Sequence, residues 1–430
     1  MLDTRDRMAS AGSRPPRKTG MSGQREVASL HAPHHAARDA RSLATSPGSS
    51  PGTSLTTFLD ATPFDAGDPA ALGGMLRALI ECGYDRAPWV PLPGHGQTLL
   101  RWRALAAVAA RDLGLVKLFE GHTDALAILA ELQGPTPPVG SSWAVWAAEP
   151  PDARVQASRA ERAAGRAEPL EPGARTQQGT PLILHGTKAW CSGAAEVSHA
   201  LVTAWLDDEP VLAAVRMDAA SVSIDTSKWQ AVGMQATASA DVTFDGTPAT
   251  LVGAAHAYVD RPGFWHGGAG IAACWYGAAA QIGRMLRDAS VQRADPHRLA
   301  HLGAVDVALE SAAAVLRETA ASIDAEAQTE ARIERHIEPH TEPHTEPHTD
   351  RQRAAMRARL VVEACATTVM QHATRTLGAG PLCRDARFAR LLADLPVFLR
   401  QSHAERDLAA LGERVVAARS ADAGGAAWPL

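Results

Sequence analysis

The chain has 430 residues, with 42 Lys and Arg against 47 Asp and Glu, for a formal net charge of −5. That length holds two or three domains with a substantial core, and the slightly acidic balance excludes a protein held to nucleic acid by bulk positive field. Hydrophobic residues make up 46% and charged residues 21%, and the ten tryptophans are as many as the seven phenylalanines and three tyrosines together.

Residues 1–54 are rich in Ser, Pro, Gly, Arg and His without apolar periodicity, and are expected to be a disordered extension. No hydrophobic block follows their basic residues, so no secretory signal is expected. Residues 55–133 turn helical. The clearest stretch is 99–132, with Leu105, Val108, Ala109, Leu113, Val116 and Phe119 spaced by three and four, a split near Gly121 and a stop at Gly134-Pro135. From residue 139 to about 252, short runs rich in Val, Thr, Ile and Trp alternate with Gly, Pro and Asp, such as residues 182–186, 200–205, 211–215, 222–224 and 241–244. These read as antiparallel strands of a small barrel or sandwich, with the Arg/Glu/Pro-rich residues 150–178 as a surface excursion.

Helical patterning returns near residues 268–292, 298–325, 352–376 and 386–415. The apolar stretch near 267–283 is built of Gly and Ala and broken by Gln281 and Arg284, so it is not read as a membrane span. Between the second and third segments the tetrapeptide Glu338-Pro339-His340-Thr341 repeats twice more. A proline at every fourth position prevents a helix from aligning those histidines, so the repeat reads as a polar tandem insertion and no metal is expected. Cys82, Cys191, Cys274, Cys365 and Cys383 are odd in number, far apart and without a C-x-x-C pair, which predicts a reducing, cytoplasmic setting. Helices, then strands, then helices make an α+β layout.

Three segments carry chemistry. In Gly186-Thr187-Lys188-Ala189-Trp190-Cys191-Ser192-Gly193, the Trp190 indole offers a flat face to a planar heteroaromatic ring, and the Ser192 hydroxyl can donate to that ring's edge. Residues 232–245 read as a loop entering a strand, with Met234, Thr237 and Ser239 near its start. After a helix, Gly378-Ala379-Gly380 would let backbone approach a phosphate, anchored by Arg384 and Asp385.

In this order the segments read G-x-K-x-W-[small]-S, G-M-x-A-T-x-S-x-x-V-x-F-D and L-G-x-G followed by R-D-A-R. Together they resemble the acyl-CoA dehydrogenase family over about residues 99–412. The resemblance implies an N-terminal helical domain (55–135), a middle β-barrel or sandwich domain (136–255) and a C-terminal four-helix bundle (256–415). Residues 326–351 would be an insertion and 416–430 a tail. It implies FAD, with Trp190 against the flavin ring and Ser192 hydrogen-bonded to it. Gly378, Ala379 and Gly380 would approach an FAD held by a neighbouring subunit, and Met234, Thr237 and Ser239 would lie beside flavin and acyl chain. Glu149-Pro150 matches the family's E-P pair. An acyl-CoA substrate, an electron-transfer flavoprotein as acceptor and a homo-dimer or tetramer follow from the same resemblance. Six tryptophans (Trp143, Trp146, Trp190, Trp205, Trp229 and Trp265) lie within or beside the β segment.

The departures concern catalysis. The family's glutamate base falls on Ala393, and its alternative position falls near Gly267, so Asp394 is the nearest substitute. The R-x-Q-F-G segment that helps hold FAD is absent after Arg293. Desaturating an acyl thioester needs a base at the α-carbon, worth about 10²–10⁴-fold in rate. The leading expectation is therefore α,β-desaturation of an acyl thioester with hydride transfer to flavin. The alternatives are a flavin-dependent monooxygenase of the same fold or a non-catalytic binding relative. The pattern around His122 resembles the monooxygenase-like branch, although that branch's histidines after R-D-x-R are missing from residues 388–394. His266 is read as a capping or core residue, and His403, Glu405 and Arg406 as a salt-bridged surface cluster.

Overall fold

An aspartate, not a glycine, divides the first helical stretch. The computed structural model describes residues 54–160, 179–334 and 347–421. Its first elements are α1 (Leu55–Ala61), α2 (Pro69–Glu81), α3 (Thr98–Arg111) and α4 (Leu113–Glu131). Asp112 takes an extended backbone, and its carboxylate accepts the Leu115 N–H at 2.9 Å, which caps α4. Gly121 stays within α4, because an internal glycine costs a helix only about 1 kcal/mol.

Seven strands follow: β1 (Trp143–Trp146), β2 (Val155–Arg159), β3 (Pro181–Cys191), β4 (His199–Leu206), β5 (Glu209–Arg216), β6 (Val222–Asp225) and β7 (Ala240–Val252). The pairing runs β4-β2-β3-β7-β5 and returns from β5 to β4, so the sheet closes into a small barrel, with β1 beside β4 and β6 beside β7. The antiparallel expectation needs correction at one edge, where β1 and β2 both pair with β4 in parallel. The supposed excursion contains β2, whose V-Q-A-S-R sequence hides a strand that pairs antiparallel to β3. Residues 161–178 and most of the Glu-Pro-His-Thr repeat lie outside the described residues.

The remaining helices are α5 (Ala257–Asp260), α6 (Gly263–Gln292), α7 (Pro296–Glu334), α8 (Pro347–Leu377), α9 (Ala379–Arg384), α10 (Ala386–Phe398) and α11 (Glu405–Ala421). Pro347, the last proline of the repeat, opens α8, where its missing N–H is harmless. The expected helix over 386–415 is interrupted by a 3-10 turn at Leu399–Gln401 and an extended Ser402. α6, α7 and α8 pack on one another, α10 lies on α6 and α4, and α11 on α8. Over Pro296–Ala327, α7 is long and apolar enough to cross a membrane by length and composition, yet it packs along α6 and α8. The α+β architecture stands.

Two close approaches set the frame. A Cβ on Gly277 would lie 2.2 Å from the Ala106 carbonyl oxygen, so α3 and α6 cross with backbones in contact. A Cβ on Gly233 would lie 1.9 Å from the Ala393 carbonyl oxygen, which seats the β6–β7 loop on α10. Asp394 completes that seat. Its buried carboxylate accepts the Met234 N–H and sits among Arg111, Asp112 and Arg390. Burial, joined by the neighbouring Asp112 charge, pushes its pKa up to about 6.

Gly277→Ala is expected to lower stability by about 1–3 kcal/mol through overpacking. Gly303→Ala on α7, where a Cβ meets nothing within 4 Å, should raise it by up to ~1 kcal/mol; thermal melts of the two variants check the opposite signs. Asp394→Ala leaves the Met234 N–H unpartnered and should cost about 1–3 kcal/mol, whereas Asp394→Asn keeps an acceptor. A carboxyl whose folded pKa is raised stabilises below its unfolded pKa and loses that contribution as pH rises through the folded value. Relative to Asp394→Asn, the parent should therefore lose on the order of 2 kcal/mol between pH 4 and 7, read from denaturant melts at each pH.

Candidate functional site

A cavity of about 910 Å³ lies between the barrel and the helices, at the upper end of the range for ligand sites. One wall is β structure. β1 runs on towards Glu149, and β3 carries Trp190 at its next-to-last position. A bulge in the β3–β7 ladder between Lys188 and Cys191 turns Trp190 into the left-handed region, φ 59°, and leaves its side chain exposed at 61% on the cavity surface. Behind it, the Lys188 ammonium is fully buried and bonds Glu149 Oε1 at 3.0 Å, the Thr203 carbonyl at 3.0 Å and Thr203 Oγ1 at 2.6 Å. Trp205 Nε1 donates to the other Glu149 oxygen at 2.9 Å. Burial alone would raise the Glu149 pKa, but hydrogen bonds from Trp205, Lys188 and Thr203 outweigh it and hold the carboxyl below its usual range.

Beside Trp190 runs a hydroxyl relay. Thr237 Oγ1 donates to the Met234 carbonyl at 2.8 Å and lies 3.0 Å from Ser239 Oγ, which lies 2.8 Å from Ser192 Oγ. Thr237 has one proton and gives it to a carbonyl, so Ser239 donates to Thr237 and Ser192 donates to Ser239. Ser192 then presents lone pairs, an acceptor where the sequence suggested a donor. Met234, Thr237, Ser239, Ser192 and Trp190 all line the cavity, so the structure brings these five expected residues together.

The facing wall is helical. From α4 come Lys117, Glu120, Gly121 and Asp124, with Tyr258 of α5, Arg261, and Phe264, Gly267 and Ile271 of α6; Arg359 of α8 and Phe398 of α10 complete it. Lys117 Nζ lies 3.3 Å from Glu120 Oε2. Burial raises the Glu120 pKa, and although Lys117 lowers it, the nearby Asp124 charge adds to the rise. Arg261 bonds Glu131 at 2.7 Å, and Glu131 also accepts the Gly263 N–H at the start of α6. Arg359 donates to the carbonyls of Gly268 at 2.9 Å and Gln401 at 2.8 Å, and stacks over Trp275.

Other expected residues lie elsewhere. Asp394 is outside the cavity lining, held by Met234 and its own neighbours. Gly378, Ala379 and Gly380 are outside it too, and a Cβ on either glycine meets nothing within 4 Å. His122 is buried, its Nδ1 accepting the Trp143 N–H and its Nε2 donating to Asp85, both at 3.2 Å, so it holds α4 against β1. His266 lies against Gly94, away from the cavity. His403 lines the cavity and pairs with Asp407 at 3.4 Å. Of the six tryptophans, Trp143, Trp146, Trp190 and Trp229 reach the cavity, while Trp205 serves Glu149. The carboxylates of Glu120 and Asp124 escaped the sequence reading. Their signal was two acids four residues apart inside an otherwise buried helix.

No protein-family model matches this chain, and no curated protein matches it in sequence. Solved structures do share its fold. TdsC from Paenibacillus sp. A11-2, in complex with FMN and indole, aligns at 18% identity over 85% of this chain and 94% of its own, with a TM-score of 0.62. Methanesulfinate monooxygenase MsuC from Pseudomonas fluorescens aligns at 16% identity over 82% and 96%, with a TM-score of 0.61. KijD3, in complex with FMN and a dTDP-linked amino sugar, aligns at 17% identity over 85% and 91%, with a TM-score of 0.60. At such identities the likeness is one of fold, the acyl-CoA dehydrogenase-like fold.

Proposed function

We propose that the chain is a flavin-dependent oxidoreductase of the monooxygenase kind, holding its flavin against the β wall and a small substrate against the helical wall. The observation that carries this reading is Trp190, an exposed indole held on a cavity wall by left-handed backbone beside the hydroxyl relay. A planar ring system lies flat on such a face. Ser192, its proton committed to Ser239, accepts from an N–H at the ring's edge. Arg359 makes no ion pair among the described residues and is the cation to face a flavin phosphate. The indoles, Phe264, Ile271 and Phe398 keep water from the site. When bound and reduced, a flavin supplies two electrons to O₂, so that one oxygen atom enters the substrate and the other leaves as water.

FMN is preferred to FAD because the flavin in the related complexes is FMN, and because Gly378–Gly380 lie outside the cavity. Desaturation of an acyl-CoA, with electrons passed to an electron-transfer flavoprotein, takes second place. It needs a base at the substrate's α-carbon, while Ala393 and Gly267 carry none and the Asp394 carboxylate is engaged by Met234.

The full chain is expected to bind FMN with quenching of flavin and tryptophan fluorescence. Trp190→Ala should weaken binding about tenfold, ~1.4 kcal/mol. With a flavin reductase and NADH, oxygen consumption should rise on adding a flat heteroaromatic substrate, and the product should carry label from ¹⁸O₂. Failure to bind FMN or FAD in either redox state overturns the flavin reading. Anaerobic bleaching of the bound flavin by an acyl-CoA would instead establish desaturation.

A further inference from the structure

The cavity holds an acceptor that the protein itself leaves unused. Oδ1 of Asp124 is buried and has no hydrogen-bond partner among the described residues. The guanidinium of Arg261 comes only to 3.9 Å, beyond hydrogen-bond reach, and is bonded to Glu131 instead. Lys117 is engaged by Glu120 one turn earlier on α4. A Cβ on Gly267 would stand 2.9 Å from that same oxygen, so only glycine lets α6 pass this close to the carboxylate.

The surrounding charge narrows the ligand. Lys117, Arg101 and Arg261 face Glu120, Asp124 and Glu131, and Arg359 lines the same wall, so the carboxylates here call for no further cation. A partner for Asp124 therefore brings a hydrogen and no charge. The same cavity is lined by the apolar side chains of Trp146, Phe264 and Phe398. A buried acceptor left without a donor is unfavourable, and a neutral N–H or O–H on a flat apolar body relieves it.

We propose that Asp124 is the specificity-determining acceptor of the cavity, selecting small planar apolar molecules that carry one N–H or O–H donor. The proposal rests on the flavin reading only in taking such a molecule to be the substrate; its binding test does not. Indole and 1-benzofuran have nearly the same shape, and only indole has a donor. Calorimetry on the full chain should show indole binding about tenfold or more tighter than benzofuran, the fold-change expected of a hydrogen bond to a carboxylate. Asp124→Ala should erase the preference while benzofuran binding holds or improves, which also shows that the variant is folded. Asp124→Asn, keeping an acceptor oxygen, should retain part of the preference.

Equal binding of the two probes by the parent overturns the proposal, as does no binding of either at millimolar concentration or an undiminished preference in Asp124→Ala. FMN titration of the same preparations separates the two readings. A chain that binds no flavin but prefers indole through Asp124 refutes the flavin function alone, and one that binds FMN without that preference refutes only the role of Asp124.

Discussion

The ammonium group of Lys188 holds together the three segments that make the β wall. It projects from β3, takes Glu149 at the exit of β1, and takes both the carbonyl and hydroxyl of Thr203 on β4. Burial depresses the Lys188 pKa even though Glu149 opposes it, because this side chain gives up all of its water and Glu149 does not. Removing one member of such a pair commonly costs about 3–5 kcal/mol, since the other charge is left buried. The bulge that presents Trp190 begins at the next residue of β3. The indole's position is thus tied to a buried polar contact whose acceptors, Glu149 and Thr203, themselves line the cavity.

The two walls of the cavity are made by different physics. The β wall is built from strand ends, left-handed turns and a chain of hydroxyls whose direction is imposed by one carbonyl acceptor. The helical wall is centred on one face of α4, where Lys117, Glu120, Gly121 and Asp124 face the cavity while most of the long apolar side chains go to the core. The loop of Met234 closes the gap between them, pinned to α10 by Gly233 and Asp394. Asp394 thereby acts as a positioning residue for the relay.

Much of this was legible in the sequence, for identifiable reasons. Apolar periodicity located the long helices, since burial enforces it over many turns. The Trp190, Ser192, Met234, Thr237 and Ser239 cluster was legible because each residue sits in a short motif whose backbone geometry is local. The break at Asp112 was missed because capping depends on which residue accepts an N–H, and composition ranks glycine as the stronger breaker. β2 was missed because a strand bonded through its backbone needs little apolar patterning. Glu120 and Asp124 were invisible as a site because only the approach of α6, with glycine at 267, turns that face of α4 into a cavity wall.

The left-handed backbone of Trp190 has an energetic consequence. A bulky residue there stores about 1–3 kcal/mol of strain that glycine would not carry. The commonest stabilising replacement at this position is therefore also the one that removes the indole from the cavity. At this turn, therefore, backbone stability and the indole's place on the cavity wall pull in opposite directions.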